Sequence, residues 1–171
     1  MIHPVLRVLV ERAAARRVSL LGLVSVIPEG FWVRRVPGDD WSAREHLVHA
    51  LTADDAVAEF IAGSPENADL EAARAVAMTQ GAELPMKELL ELAAKGRSRL
   101  IEVLSSMTPV DLERAFPIPG AVNAWGERLS ITVFQYLEQW AAHDAVHEAA
   151  IREAIATPPD LTAIAMTRRR R

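Results

Sequence analysis

The chain has no cysteine, which removes disulfides, thiolate metal ligands and a cysteine nucleophile at once. The absence says little about compartment, because many cytosolic proteins also lack structural disulfides. Glycine is scarce, with eight in 171 residues, and alternating apolar–polar stretches are few, so little here suggests a sheet. Basic charge is not in excess either. The formal net charge is −4, and basic residues are not interleaved with aromatics, which argues against a nucleic-acid partner. No apolar run is long enough to span a bilayer, so no membrane partner is expected.

What remains is dominated by Ala, Leu, Glu and Arg, all good helix formers. Half of the residues are hydrophobic and a quarter are charged, an ordinary soluble composition. The length suits one domain with a substantial core. The expected fold class is all-α: a four-helix bundle over residues 1–157, followed by a basic tail at 158–171. Four arginines at a frayed terminus are most simply solvated.

The punctuation supports four long helices. The first runs from about Pro4 to Ile27, where Pro28 and Gly30 stop it. Arg16-Arg17 and the apolar stretch that follows resemble a twin-arginine export signal. No small-residue cleavage site follows, however, and Glu11 lies upstream, so an amphipathic helix with a buried C-terminal half and a cytoplasmic location are expected. Pro37-Gly38-Asp39-Asp40 reads as a turn, and Ser42-Ala43-Arg44-Glu45 as a capping box that opens a second helix reaching about Ala62. Residues 63–84 form a long connection, with a short helix expected at Asp69–Thr79 and breaks at Gly81 and Pro85. The connection is long enough to cross the bundle, so helices two and three need not be antiparallel. Helix three extends from Pro85 to about Ser106, with Leu89, Leu92, Leu100, Ile101 and Leu104 as core candidates. A short turn of helix at Thr108–Asp111 precedes a loop or brief hairpin over 116–126. Ser130 is expected to open the last helix, which ends before Pro158-Pro159.

That last helix carries His143 and His147 in W-A-A-H-D-A-V-H. Side chains four apart lie one above the other on a helix. Val133, Tyr136, Trp140, His143, His147 and Ile151 fall within roughly 80° of one another, while Glu138, Glu148 and Arg152 point away. Imidazoles on an apolar face need polar partners, and one divalent ion serves both. The motif is H-D-A-V-H rather than H-E-x-x-H, so the general base of a zinc protease is missing. Helix two offers a third ligand, His46 or His49. Three neutral imidazoles leave a divalent ion with open positions, as in catalytic sites. His46 lies closer to the main apolar stripe of Ala43, Leu47, Ala50, Leu51 and Ile61. A second stripe of His46, His49, Ala53, Ala56 and Phe60 also qualifies, and periodicity does not choose between the two histidines.

The segment W-S-A-R-E-H-L-V-H, followed much later by W-A-A-H-D-A-V-H, resembles the DinB-like superfamily of DinB/YfiT-like metalloenzymes. There a tryptophan precedes helix two, and a histidine eight residues later joins an H-x-x-x-H pair on the fourth helix. Counting eight from Trp41 gives His49. The resemblance implies a metal set of His49, His143 and His147, binding zinc, nickel or iron, in a bundle that is often a homodimer. His46 then becomes a flanking or surface residue. It further implies an ion that activates a low-molecular-weight thiol or water for S-transfer to a small-molecule substrate, with hydrolysis or isomerisation next in order. The alternative is a non-catalytic metal-binding stress-response or dimerisation bundle. Around the ligands, Asp144 is expected to face solvent and Tyr136 and Trp140 to be core. Arg44, Asn123 and Trp125 are candidate substrate contacts.

Overall fold

A computed structural model describes residues 2–36, 38–63, 75, 78–79 and 81–157. Four long helices form the body: α1 (Pro4–Val24), α2 (Ala43–Ala62), α3 (Met86–Ser106) and α5 (Val133–Ala156). Between α3 and α5 lie a short helix α4 (Pro109–Glu113) and the strands β1 (Ala115–Val122) and β2 (Arg128–Thr132). The strands pair antiparallel, with Phe116 opposite Ile131, and both of these side chains enter the core. The hairpin returns through Gly126, whose φ of +80° favours glycine.

Contact pairs give the helix directions. Asp54 meets Trp140 while His46 meets His147, so α2 and α5 are antiparallel. Arg44 reaches Leu84 and Asp55 reaches Arg99, so α2 and α3 run parallel, as the long connection allows. Arg17 pairs with Asp144 and Ser19 with Glu148, which makes α1 parallel to α5. Among the described residues of that connection, Gly81–Glu83 are helical, so Gly81 does not break the helix. A Cβ at Gly81 would collide with Val48 of α2, and glycine there permits close approach. The expected helix at Asp69–Thr79 falls largely outside the described residues, as does the tail at 158–171.

The expected boundaries shift in two places, and the buried face of α3 differs from its core candidates. Helix α1 ends at Val24, and its buried residues (Leu6, Leu9, Ala13, Leu20 and Leu23) occupy both halves. Ser130 lies in β2, and Thr132 caps α5 by accepting from the Gln135 N–H. In α3 the buried positions are Leu89, Ala93, Gly96, Leu100 and Leu104; Leu92 and Ile101 are half-buried at the margin.

The core is two apolar clusters separated by charge. One holds Leu6, Leu9, Ala13, Val57, Leu100, Leu104, Leu137 and their neighbours; the other holds Leu20, Leu23, Leu47, Leu51, Leu89, Ala93 and Ile151. Between them in all four helices stand Arg17, Asp54, Arg97 and Asp144. Arg17 contacts Asp144 at 2.6 Å and Asp54 at 3.2 Å. Arg97 contacts Asp54 at 2.8 Å, and the indole N–H of Trp140 donates to Asp54 at 2.8 Å. Asp54 is completely buried. Burial opposes the Arg17 charge, but hydrogen bonding and attraction to Asp144 and Asp54 prevail, and its pKa is raised.

Removing one member strands the others without compensation. Asp54→Ala should destabilise the fold by about 3–5 kcal/mol, whereas replacing all four charges with apolar residues of similar volume should be neutral or stabilising; urea denaturation checks both. A second prediction concerns the α2 cap. The Ser42 hydroxyl and backbone N–H hold the Glu45 carboxyl below its ordinary 4.5, so its contribution is complete above that pH and fades as pH falls through the lower folded-state value. The gap in urea midpoint between wild type and Glu45→Gln should therefore be largest near neutrality and shrink on acidification.

Candidate metal centre

The start of α2 is fixed by its first backbone N–H groups, which have no partner within the helix. Ala43 N–H donates to the Arg34 carbonyl, Arg44 N–H to the Trp32 carbonyl, and Glu45 N–H to the Ser42 hydroxyl. The Glu45 carboxylate returns to the Ser42 N–H at 2.6 Å, completing the expected capping box. Arg34 then donates to the Ile155 carbonyl at 3.0 Å. That contact satisfies a free carbonyl at the negative end of α5 and ties the end of α5 to the beginning of α2. His46 and His49, in the first two turns of α2, are thereby set against the later half of α5.

Three imidazoles converge there. Nε2 of His143 lies 3.1 Å from Nε2 of His49 and 3.1 Å from Nε2 of His147. One ligand atom from each ring falls within 4.8 Å of the others. An ion about 2.0–2.1 Å from each nitrogen separates neighbouring donors by about 2.9 Å at right angles and about 3.4 Å at tetrahedral angles, so the two 3.1 Å spacings to His143 each fit a shared ion. The donor set suits a divalent transition metal and, having no thiolate, does not select among zinc, nickel and iron. His147 is buried, whereas His49 and His143 are half-buried, so the cluster is accessible from the side of those two rings.

Trp41 covers the rings, with centroids 5.2 Å from His46, 4.9 Å from His49 and 6.0 Å from His147. Its own position is set by Asp39, whose carboxylate accepts from the Trp41 N–H at 2.8 Å. That backbone hydrogen bond keeps the Asp39 carboxyl below its usual range despite partial burial, and the hydrogen bond with His46 adds to the effect.

Two sequence expectations are corrected here. His46 is neither flanking nor at the surface: it is 7% exposed, with Nδ1 3.1 Å from Nδ1 of His147 and Nε2 2.9 Å from Asp39. Helix α2 buries its main stripe together with His46 and Phe60 of the second, leaving His49, Ala53 and Ala56 half-buried, because it packs against both α3 and α5. Asp144 does not face solvent. It is 5% exposed, since Arg17 of α1 reaches it across the bundle and supplies the partner that makes burial tolerable. The reading of Trp140 and Tyr136 as core holds: Trp140 bonds Asp54, and Tyr136 packs on Phe60 and Phe116. Arg44 binds the Ala82 and Leu84 carbonyls. Asn123 shapes the hairpin turn by accepting from the Trp125 and Glu127 N–H groups, and Trp125 is 84% exposed. Arg44 and Asn123 thus have structural partners of their own, whereas the Trp125 side chain stands in solvent.

Sequence alone marks neither Asp54 nor Arg97, and it places Arg17 and Asp39 only in an arginine pair and a turn, although Arg17, Asp54 and Arg97 carry a signal. Each interrupts an apolar stripe at helical spacing: Arg17 between Ala13 and Leu20, Asp54 between Leu51 and Val57, Arg97 between Ala93 and Leu100. A cavity of about 520 Å³ between α1 and α3 is a rival site, lined by Leu21, Val24, Leu51, Met86 and Leu90 together with Arg17 and Arg97. Its two guanidiniums already bond the buried aspartates, which leaves the histidine cluster as the better-equipped centre.

A helical bundle with three imidazoles directed inward from two antiparallel helices defines a class with a built nitrogen-donor site. The sequence profile of the DinB superfamily matches residues 12–151, and the chain belongs to that superfamily. Among solved structures, the crystal structure of a histidine-to-alanine mutant of the mycothiol-dependent maleylpyruvate isomerase is similar in fold, with a TM-score of 0.63 and 12% identity over 87% of this chain. The present chain spans 61% of the length of that structure. None of the curated proteins matches. Among the described residues no helix is long and apolar enough to cross a membrane.

If the three rings share an ion, His49→Ala and His147→Ala should each lose it, while His3→Ala, which removes only a cap from α1, should retain it. Elemental analysis of the purified proteins checks this.

Proposed function

We propose that the protein is a metal-dependent enzyme that binds a divalent ion through His49, His143 and His147 and acts on a small-molecule substrate with a low-molecular-weight thiol or water as nucleophile. The observation that carries this reading is the convergence of three Nε2 atoms, 3.1 Å apart along the cluster, where two of the three rings are half-buried rather than buried. An ion on three imidazoles supplies a Lewis-acid centre that brings the pKa of a thiol or water toward neutrality.

The chain's own residues do the rest. His147 anchors the cluster from within the core, and His49 and His143 face the approach. Trp41 walls off the far side of the rings, and the Arg17–Asp144 pair holds α5 in place one residue from His143. With no cysteine in the sequence, a thiol must arrive as a separate molecule. Similarity in fold to a mycothiol-dependent isomerase is compatible with that requirement, and isomerisation is to be assayed beside S-transfer and hydrolysis. The homodimer implied by the resemblance belongs to the same reading, with a sedimentation coefficient of two copies as its expected result.

Incubation of metal-loaded protein with a small thiol and a chromogenic electrophile should give turnover. A chelator should abolish it while leaving the helical circular dichroism intact, and returning the ion should restore it. If the chelator lowers only the melting temperature, and no turnover occurs with any loaded ion, the ion serves stability through preferential binding to the native state, and the enzymatic reading fails.

A further inference from the structure

Behind His147 the structure contains a second histidine and a carboxylate in line: Asp39 Oδ2 lies 2.9 Å from His46 Nε2, and His46 Nδ1 lies 3.1 Å from His147 Nδ1. Their proton positions follow one from another. An ionised carboxylate only accepts hydrogen bonds, so Nε2 of His46 must carry the proton it shares with Asp39. In the neutral form of His46 the imidazole has one N–H and one lone pair, and Nδ1 is then an acceptor. The only proton available to the contact between the two Nδ1 atoms is the one on His147. With its proton on Nδ1, His147 presents a lone pair at Nε2, the atom that lies 3.1 Å from Nε2 of His143.

We infer that Asp39 and His46 form a two-step relay that fixes the tautomer and ring orientation of His147 and raises the basicity of its Nε2, making both of them positioning residues for the metal centre. The inference rests on the three-histidine site proposed above and deepens it. Partners of this kind, bonded to the far nitrogen of a ligating histidine, typically change metal affinity by about 10–100-fold. The arrangement here differs from a direct carboxylate–histidine contact because an imidazole is inserted between the two. Asp39 thereby serves twice, since its other oxygen fixes the backbone of Trp41, whose ring lies over His46, His49 and His147. The link before α2 and the ligands after it are thus set by one carboxylate. His46 is shielded from water, being 7% exposed, so solvent does not substitute for it.

The test combines zinc affinity with nitrogen NMR on the full chain. In metal-free wild type, long-range ¹H–¹⁵N spectra should show His46 protonated at Nε2 and His147 protonated at Nδ1. His46→Ala should weaken zinc binding by about 10–100-fold, and Asp39→Asn should weaken it by less. His46→Asn, whose amide oxygen falls near the place of Nδ1 and can still accept from His147, should recover most of the loss even though its link to Asp39 is gone. Urea midpoints read alongside separate these effects from unfolding. Zinc affinities of His46→Ala and Asp39→Asn equal to wild type would overturn the relay, as would a His147 protonated at Nε2. Wild-type protein that binds no zinc, nickel or iron would instead refute the metal site, and the tautomers of the metal-free protein would still decide the relay by themselves.

Discussion

The alignment of the four long helices is tied to a layer of four buried charges. Arg17, Asp54, Arg97 and Asp144 come one from each long helix and lie between two apolar clusters. Leucine and alanine packing tolerates sliding of one helix along another, because many apolar registers bury similar area. A paired charge does not: displacement by one turn would leave a guanidinium or carboxylate in the core without a partner, at a cost of several kcal/mol per ion. The layer therefore acts on register more than on total stability, and register decides whether His49 of α2 faces His143 and His147 of α5. Arg17 makes the connection explicit, since it bonds both Asp144, the neighbour of His143, and the carbonyl of Ala50, the neighbour of His49.

The second constraint is at the opening of α2. The link from α1 satisfies the free N–H groups of the first turn with the Trp32 and Arg34 carbonyls, while the side chain of Arg34 holds the last carbonyls of α5. Helix ends are usually where a bundle frays; here they are joined to each other. The histidine cluster thus lies between a charged layer on one side and a stapled link on the other, with Trp41 packed on its rings. Such support from two sides restricts rotamers before any ion arrives, as a preorganised centre requires.

Membership of the DinB superfamily accounts for the helical bundle. The chemistry proposed for the site rests on Trp41, His49, His143 and His147 and on access from the side of His49 and His143. The Asp39–His46 pair is a local addition to the donor set, contributed by a turn and a helix face rather than by the bundle as such.

Periodicity and capping determined a great deal. The four long helices, the capping box at Ser42 and the histidine-bearing face of α5 follow from interactions within about one helical turn, which sequence spacing encodes directly, and the parallel course allowed to α2 and α3 follows from the length of their connection. Four residues from His143 to His147 nominated that pair by spacing, whereas His49 was chosen over His46 only through the family resemblance, in which a histidine follows the tryptophan by eight residues. What only the tertiary structure decided were the partners of polar residues far apart in the chain. Asp144 looks solvent-facing until Arg17, 127 residues away, reaches it. His46 looks like a bystander until His147, 101 residues away, is brought against it by antiparallel packing. Whether a polar side chain on a helix is buried depends on which charge or ring the neighbouring helix presents, and that is a property of the register between helices rather than of either helix alone.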